Sequence, residues 1–277
     1  MTSFDSDTPV VMSLSSHDPS GSAGIQADIE TAASLGCHCT PIITALCAKD
    51  TRDLKDVVPT ETGLLIEQAR AILEDMPVRA IKLGLTGSVE NVEAIHTILR
   101  DYPHIPVVLD PVTAEINNEL FNAPAVISAT QSLLLPLATI ATPDLVEAHE
   151  LAQQADTVDA CAHEILESGC RYVLITGATR NQHHYENSFY GQGGLIRRYQ
   201  WPRVKLVAHG AGATLAASVA AYLAHGIRLE EAVDQAQQFT WQALCASRRL
   251  GMGRCIPNRM HWADKNGSAE NKKKHAS

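Results

Sequence analysis

Short apolar runs alternate with helical stretches along most of this 277-residue chain, and that alternation restricts the fold more than any other feature. The run Val10–Ser15 precedes a glycine- and serine-rich turn and a helical stretch at Gly24–Leu35. The runs Ala80–Gly84 and Pro106–Asp110 are also each followed by a helical stretch. The pattern predicts an α/β fold, with a mostly parallel central sheet and helices on both faces.

The other predicted strands are His38–Ala45, Thr139–Thr142 and Tyr172–Thr176, with a hairpin formed by Ser188–Tyr190 and Gly194–Tyr199. The other predicted helices are Glu61–Asp75, Val89–Arg100, Ala123–Leu134, Asp144–Gln154, Val158–Glu167, Ala213–His225 and Leu229–Arg248. The sequence contains no internal repeat and no linker-like segment. We therefore predict one domain over residues 10–263, between a disordered N-terminal segment (1–9) and a polar tail (264–277).

Charge and cysteine content narrow the class of protein. The formal net charge is -9, which argues against general nucleic-acid binding. The apolar runs are too short to span a bilayer, and the N-terminus does not resemble a signal peptide. The 7 cysteines are scattered without a CxxC pair, as is typical of reduced thiols rather than a zinc site. We expect a cytoplasmic protein that binds neither nucleic acid nor membrane.

A glycine-containing turn precedes the helix predicted near the C-terminal end of the fold. Gly210, Ala211, Gly212 and Ala213 form this turn. Small residues at a helix N-terminus leave backbone N–H groups free to bind negative charge, such as a phosphoryl group in transfer. An ordinary glycine turn would have the same sequence, so the motif alone does not decide between a structural and a catalytic role.

Sequence blocks around this turn resemble a known family. His209–Leu215 reads H-G-A-G-A-T-L and is similar to the His-Gly-Thr/Ser-Gly-Cys-Thr-Leu of kinases that phosphorylate hydroxymethylpyrimidine, a branch of the ribokinase superfamily. Further similar blocks are Asp18–Asp28, Ile43–Leu46, Ile81–Gly84, Val108–Val112 and Ala141–Glu147. Six blocks in the family's order identify the chain as a member of the ribokinase-like fold.

The resemblance implies a function. The expected reaction is ATP-dependent phosphorylation of 4-amino-5-hydroxymethyl-2-methylpyrimidine, and then of its monophosphate, in thiamin biosynthesis. ATP and Mg²⁺ are the implied cofactors, the pyrimidine is the implied small-molecule partner, and a homodimer is the implied assembly.

The resemblance also implies an acceptor pocket, formed by Ala23, Asp28, Leu85 and Val112. Two further pocket positions depart from the family pattern. Ser16 replaces a glycine, and Lys49 replaces the usual Gln. Because lysine offers hydrogen-bond donors but no acceptor, a site that used the Gln carbonyl would lose it. The identity of the acceptor is therefore open.

Carboxylates at strand ends and helix starts are candidates for binding the nucleotide and its magnesium ion. Asp110 ends an apolar strand, where it can act on Mg²⁺ directly or through water. Asp144 and Glu147 match the superfamily's N-x-x-E element, which helps to organise magnesium and phosphates, although helix capping alone explains the same spacing. Thr176 and Gly177 stand where many members of the resembling family have K-G-G-H, with the Lys near the nucleotide phosphates.

Ala213 stands where the family carries its catalytic cysteine. Its side chain cannot accept a proton, and general-base catalysis typically contributes about 10²–10⁴-fold. Positioning and charge stabilisation dominate phosphoryl transfer, so slow or displaced chemistry is expected rather than automatic inactivity. Neighbouring His209 offers a replacement base or a structural histidine. The alternatives are a non-catalytic homologue that binds pyrimidine or nucleotide, and a kinase for another vitamer such as pyridoxal.

Overall fold

The computed structural model describes residues 7–113, 123–180 and 183–264. Most of the N-terminal segment predicted as disordered, and nearly all of the polar tail, lie outside these residues. The strands are β1 (Val10–His17), β2 (His38–Lys49), β3 (Leu54–Pro59), β4 (Val78–Leu83), β5 (Val107–Leu109), β6 (Ile140–Ala141), β7 (Tyr172–Arg180), β8 (His184–Gly191) and β9 (Gly194–Pro202). The helices are α1 (Gly24–Ser34), α2 (Thr62–Asp75), α3 (Val89–Asp101), α4 (Ala123–Ala129), α5 (Leu145–Leu151), α6 (Val158–Glu167), α7 (Ala211–Ala224) and α8 (Leu229–Cys245).

The described strands form one sheet of nine, in the order β3-β2-β1-β4-β5-β6-β7-β8-β9. Neighbours from β2 through β7 pair in parallel, whereas β3, β8 and β9 join antiparallel to their neighbours. Val11 of β1, for example, pairs with Cys39 on one side and Ala80 on the other. The predicted mostly parallel sheet is confirmed.

Each face of the sheet carries its own apolar layer. Met12 and Leu14 of β1 pack with the layer formed by α2 to α6, whereas Val11 packs with α1, α7 and α8. This division follows from the strand geometry, because successive side chains point to opposite faces. Burying one leucine-sized side chain contributes about 1.5–3 kcal/mol, so both layers stabilise the sheet strongly. Within the described ranges, no helix has both the length and the apolar character to cross a membrane.

Three local predictions were wrong in detail. β3 was not predicted, because its Leu-Lys-Asp-Val-Val-Pro sequence is short and contains Lys, Asp and Pro, and it forms a strand at the sheet edge by pairing with β2. The helix predicted over Ala123–Leu134 is α-helical only to Ala129 and continues as a π-helical turn at Thr130–Leu134. Helix α7 begins at Ala211, two residues before the predicted start, because Gly210 adopts a left-handed N-cap conformation.

Candidate functional site

A cleft opens at the carboxyl ends of the central parallel strands. This is the edge at which open α/β sheets bind ligands. The cleft is lined by Ser15, Ser16, Asp18, Gly24, Cys47, Lys49, Leu54, Lys82, Leu85, Asp110, Val112 and Ala213. The lining combines apolar walls with a few charged groups, as expected for a small polar molecule.

The floor of the cleft is a buried ion cluster around Lys82 of β4. Its Nζ lies 3.1 Å from both carboxylate oxygens of Asp28 and 3.5 Å from Oδ2 of Asp110. The Ser13 hydroxyl donates to Asp28 Oδ2 at 2.6 Å. Burial alone would lower the pKa of Lys82, but the charges of Asp28 and Asp110 outweigh it and raise the pKa above its usual value. Lys82 is therefore charged and held in place at the floor of the cleft.

One wall of the cleft carries a second lysine, Lys49, at the end of β2. Its Nζ contacts His209 Nε2 and lies 3.8 Å from Asp18 Oδ2. Burial alone would raise the pKa of Asp18, but hydrogen bonds from Ser20 and Ser22, with the Lys49 charge, hold that pKa below its usual value. Asp18 thus stays ionised and faces a cation across the cleft wall.

Helix α7 points its N-terminus at the cleft. Gly210 has a φ of +94°, and a Cβ there would lie 1.7 Å from the Ser22 carbonyl oxygen, so the approach requires glycine. The N–H groups of Ala211, Gly212 and Ala213 open the helix and have no partner within it. A Cβ on Gly212 would stand 3.3 Å from Asp110 Oδ1, so this carboxylate lies against the helix start. The geometry suits a phosphoryl group and a bridging cation.

Arg259, from the segment after α8, is fully buried beneath this helix start. Its Nε donates to Thr214 Oγ1 at 2.9 Å, and Nη2 donates to the Ser22 carbonyl. Nη1 donates to the Gly21 carbonyl at 3.2 Å and to Glu30 Oε2 at 3.0 Å. One side chain therefore ties the glycine-serine turn, helix α1 and the first turn of α7 together.

A carboxylate pair lies beside Asp110 at the start of α5. Asp144 Oδ1 accepts from the N–H groups of Val146 and Glu147 at 2.8 and 2.9 Å. Glu147 Oε2 accepts from Asp144 N–H at 2.8 Å and completes a capping box. Burial, and then the charge of Asp110, raise the pKa of Glu147 to about 9. Asp144 and Glu147 therefore cap α5 and also lie close to Asp110.

The donor set fits a hard divalent cation. Carboxylate oxygens are the ligands that Mg²⁺ prefers, and a cation would offset the burial and the Asp110 charge that raise the Glu147 pKa. Among the residues that the structure describes, no three His, Cys, Asp or Glu side chains form a metal-binding group. A Mg²⁺ held by Asp110 and Glu147 would therefore take its other ligands from phosphates and water, as Mg²⁺ commonly does.

Thr176 and Gly177 lie next to the capping box rather than in the cleft. Thr176 forms an isolated parallel bridge with Asp144, and its N–H donates to the Pro143 carbonyl at 2.9 Å. Gly177 has a φ of +64° and donates its N–H to Asn187 Oδ1 at 3.0 Å. These two residues face the same strand-end edge, one strand beyond the carboxylate pair.

Six of the predicted site residues share the cleft, namely Ser16, Lys49, Leu85, Asp110, Val112 and Ala213. Two residues of the predicted acceptor pocket do not line it. Ala23 caps α1 with its N–H donated to Asp18 at 3.0 Å, and Asp28 lies behind Lys82. The sequence reasoning missed Lys82 as a site residue. A lysine inside the apolar strand Ile81–Leu83 signals a buried charge that needs a partner.

Comparisons with known proteins identify the family to which the chain belongs. The family model for phosphomethylpyrimidine kinase matches residues 18–258. A hydroxymethylpyrimidine/phosphomethylpyrimidine kinase from Rhizobium meliloti is 32% identical over 266 residues, which cover 93% of this chain and all of that protein.

Solved structures point to the same fold. An ADP complex of Bacillus subtilis pyridoxal kinase has a TM-score of 0.85 and 28% identity, covering 92% of this chain and 98% of that one. A phosphomethylpyrimidine kinase from Clostridium difficile has a TM-score of 0.72 and 27% identity, covering 86% of this chain and 100% of that one. The matched residues and the identity over nearly the whole length show that this chain belongs to the phosphomethylpyrimidine kinase family, with the ribokinase-like fold.

Proposed function

We propose that the chain is an ATP-dependent kinase for the pyrimidine precursor of thiamin, acting at the cleft described above. The observation that carries the proposal is the meeting of three features at one strand-end edge. The cleft, the N-terminus of α7 and the carboxylate of Asp110 all converge there. A phosphoryl group in transfer needs an acceptor, an anion-stabilising dipole and a cation site at such a point.

Each predicted residue has a role in this proposal. Ser16, Lys49, Leu85 and Val112 contact the acceptor, while Ala23 and Asp28 shape its pocket from behind through Asp18 and Lys82. The backbone of Gly210, Ala211, Gly212 and Ala213 stabilises the transferred group. Asp110 and Glu147 would hold a Mg²⁺ ion, which would supply charge neutralisation, and Asp144, Thr176 and Gly177 face the nucleotide.

Ala213 lines the cleft at the place where the resemblance puts a catalytic cysteine. A methyl group there accepts no proton from an attacking alcohol, so the first phosphorylation lacks its usual base. Positioning and electrostatics at the start of α7 remain available. We propose that this substitution slows attack by the hydroxymethyl group without removing the rest of the site.

Pyridoxal phosphorylation is a second candidate, favoured by Lys49 and by the likeness to pyridoxal kinases at a TM-score of 0.85. A pyridine acceptor presents different hydrogen-bonding groups from an aminopyrimidine, and a lysine offers donors only. A screen of both acceptor classes distinguishes the two kinases.

The test is ADP formation from ATP and magnesium with hydroxymethylpyrimidine, its monophosphate and pyridoxal, comparing the native chain with Ala213→Cys. We expect Ala213→Cys to raise turnover of the hydroxymethyl acceptor by about 10²–10³-fold, since it restores a group that can take the proton. Ala213→Ser is the matched control, because a hydroxyl of similar size is a far weaker base.

The outcomes separate the candidates. If neither protein forms ADP with any acceptor but the chain binds pyrimidine or nucleotide tightly, the chain is a non-catalytic homologue and not a kinase. Turnover of pyridoxal alone would favour the second candidate.

A further inference from the structure

Strand β7 bulges out of the regular ladder where it passes the start of α5. Three of its residues, 176–178, lie opposite the single residue Asn187 of β8, whereas the residues on either side of them pair one to one. Such a bulge bends its strand and re-aims the residues within it. Inside this bulge Thr176 forms its parallel bridge with Asp144, which places the bulge next to the carboxylate pair.

A side chain replaces the backbone of β8 as the hydrogen-bond partner of the bulge. Asn187 Oδ1 accepts from the Gly177 N–H at 3.0 Å, and Gly177 has a φ of +64°, in the left-handed region that favours glycine. A Cβ on Gly177 would meet no atom of the described residues within 4 Å, so glycine is needed there for its conformation rather than for space. The bulge therefore has room beside it for a ligand, while one amide oxygen fixes its backbone.

Helix α8 in turn holds the Asn187 side chain. Asn187 Nδ2 donates at 2.9 Å to Oε1 of Gln237, which is buried in α8. The same oxygen accepts from Trp201 Nε1 at 3.2 Å, and Gln237 Nε2 donates to the Val233 carbonyl at 3.3 Å. Because a backbone N–H and an indole N–H only donate, each amide has one orientation that satisfies all of these hydrogen bonds.

Neutral amides suit a place beside a polyanion. A carboxylate at position 187 would repel nucleotide phosphates, and a lysine would offer no acceptor to the Gly177 N–H. An amide provides an acceptor and a donor without net charge, so it fixes the bulge without adding repulsion. A tie that served only to attach β8 to α8 would not need to end on the N–H of the bulge.

We infer that Asn187 is a positioning residue for the nucleotide and that Gln237 holds Asn187 in the orientation this requires. This role rests on the proposed kinase function, in which Thr176 and Gly177 face the nucleotide. A bulge that is already ordered binds its ligand more tightly than one that must be ordered on binding. The acceptor cleft is lined by residues of other elements, so the loss of either amide should weaken nucleotide binding and spare acceptor binding.

Calorimetric titration with ADP and magnesium, and separately with hydroxymethylpyrimidine, tests the inference without turnover. The proteins are the native chain, Asn187→Leu, Gln237→Leu and Gln238→Leu. Leucine is close in size to both amides but forms no hydrogen bond. Gln238 is exposed on α8, so Gln238→Leu makes the same change on the same helix away from the buried amide.

We expect Asn187→Leu to weaken ADP binding by about 5- to 20-fold, because the Gly177 N–H loses its acceptor. Gln237→Leu should weaken it by about 2- to 5-fold, since Asn187 keeps its bond to Gly177 but loses the partner that orients it. Gln238→Leu should bind ADP as the native chain does. Hydroxymethylpyrimidine affinity should stay within about twofold of the native value in every variant.

Amide hydrogen exchange separates positioning from a general loss of stability. In Asn187→Leu the Gly177 N–H should exchange faster, while the amides of residues 173–175, which precede the bulge, should keep their native protection. Unchanged ADP affinity in a folded Asn187→Leu protein would overturn the inference, as would equal losses of ADP and pyrimidine affinity.

Turnover separates this role from the kinase function on which it rests. With an acceptor that yields ADP, Asn187→Leu should raise the KM for ATP by more than it lowers kcat. If no acceptor yields ADP but the titrations show the expected losses, the kinase proposal fails and the positioning role stands. If the native chain is a kinase and Asn187→Leu leaves the KM for ATP unchanged, the positioning role fails alone. A native chain that does not bind ADP with magnesium would refute both.

Discussion

Two cations are buried, Lys82 under the cleft and Arg259 under the start of α7, and their charges are stabilised by different kinds of partner. Lys82 has two carboxylates within 3.5 Å, and its pKa is raised. Arg259 has one carboxylate, that of the half-buried Glu30, and burial lowers its pKa despite that partner. The remaining donors of Arg259 go to neutral carbonyls and a hydroxyl.

The difference shows what each side chain is suited for. Lysine is a compact point charge, so burying it here takes opposite charges from two other elements. The guanidinium is a rigid fork of five donors, so Arg259 can contact three segments of the chain while forming only one ion pair. The Lys82 region is therefore expected to be sensitive to charge, and the Arg259 region to geometry.

Breaking the Lys82 cluster should have the largest effect. Lys82→Met leaves Asp28 and Asp110 buried without a counter-charge, so we expect the free energy of unfolding to fall by about 3–5 kcal/mol. Urea denaturation at neutral pH measures this loss.

A matched double variant sharpens the charge argument. Lys82→Met combined with Asp28→Asn should recover about 1–3 kcal/mol of the loss, because one uncompensated carboxylate is gone. No recovery would mean that Lys82 stabilises the floor by packing rather than by charge.

Breaking the Arg259 clamp should cost less. Arg259→Met leaves the Gly21 and Ser22 carbonyls without their donor, while Glu30, which is 36% exposed, can regain water. We expect the free energy of unfolding to fall by about 2–3 kcal/mol, with faster amide hydrogen exchange at Thr214, whose N–H donates to the Gly210 carbonyl at the helix start.

Arg259→Lys provides the contrast within that region. If geometry matters more than charge, Arg259→Lys should lower the free energy of unfolding by most of the amount that Arg259→Met does. A lysine variant as stable as the native chain would contradict the comparison.

The pH dependence of stability due to the buried Glu147 carboxyl should be the smallest effect. Its pKa is raised from 4.5 to about 9, so the stability gained from its protonated form is present below about pH 4.5 and is lost as the pH rises through about 9. Between pH 6 and 9 the native chain should lose at least about 1 kcal/mol of unfolding free energy relative to Glu147→Gln, which keeps the capping geometry.

Denaturation curves at both pH values, without magnesium, measure this difference. Glu93→Gln on the exposed face of α3 is the control and should follow the native pH dependence. Parallel pH profiles for the native chain and Glu147→Gln would show that Glu147 is ionised in the folded protein throughout this range.

The sequence predicted the fold more completely than the site, for a physical reason. Strand–helix alternation is local, so the parallel sheet followed from it, whereas β3 depends on pairing with β2 and was missed. The glycine turn and the strand-end residues were visible as short motifs. Arg259 was not, because its partners Ser22 and Glu30 are 237 and 229 residues away in sequence. The contact between Lys49 and His209 likewise joins positions 160 residues apart.

Cys47 gives the cleft a built-in chemical reporter. It is half-buried and lines the cleft beside Lys49, whereas Cys37, Cys161 and Cys170 are buried thiols whose pKa burial raises. A small alkylating reagent that enters the cleft meets the Cys47 sulfur there, and a seated ligand covers it. The rate of modification at this one thiol therefore measures occupancy of the cleft by any compound, whether or not that compound reacts.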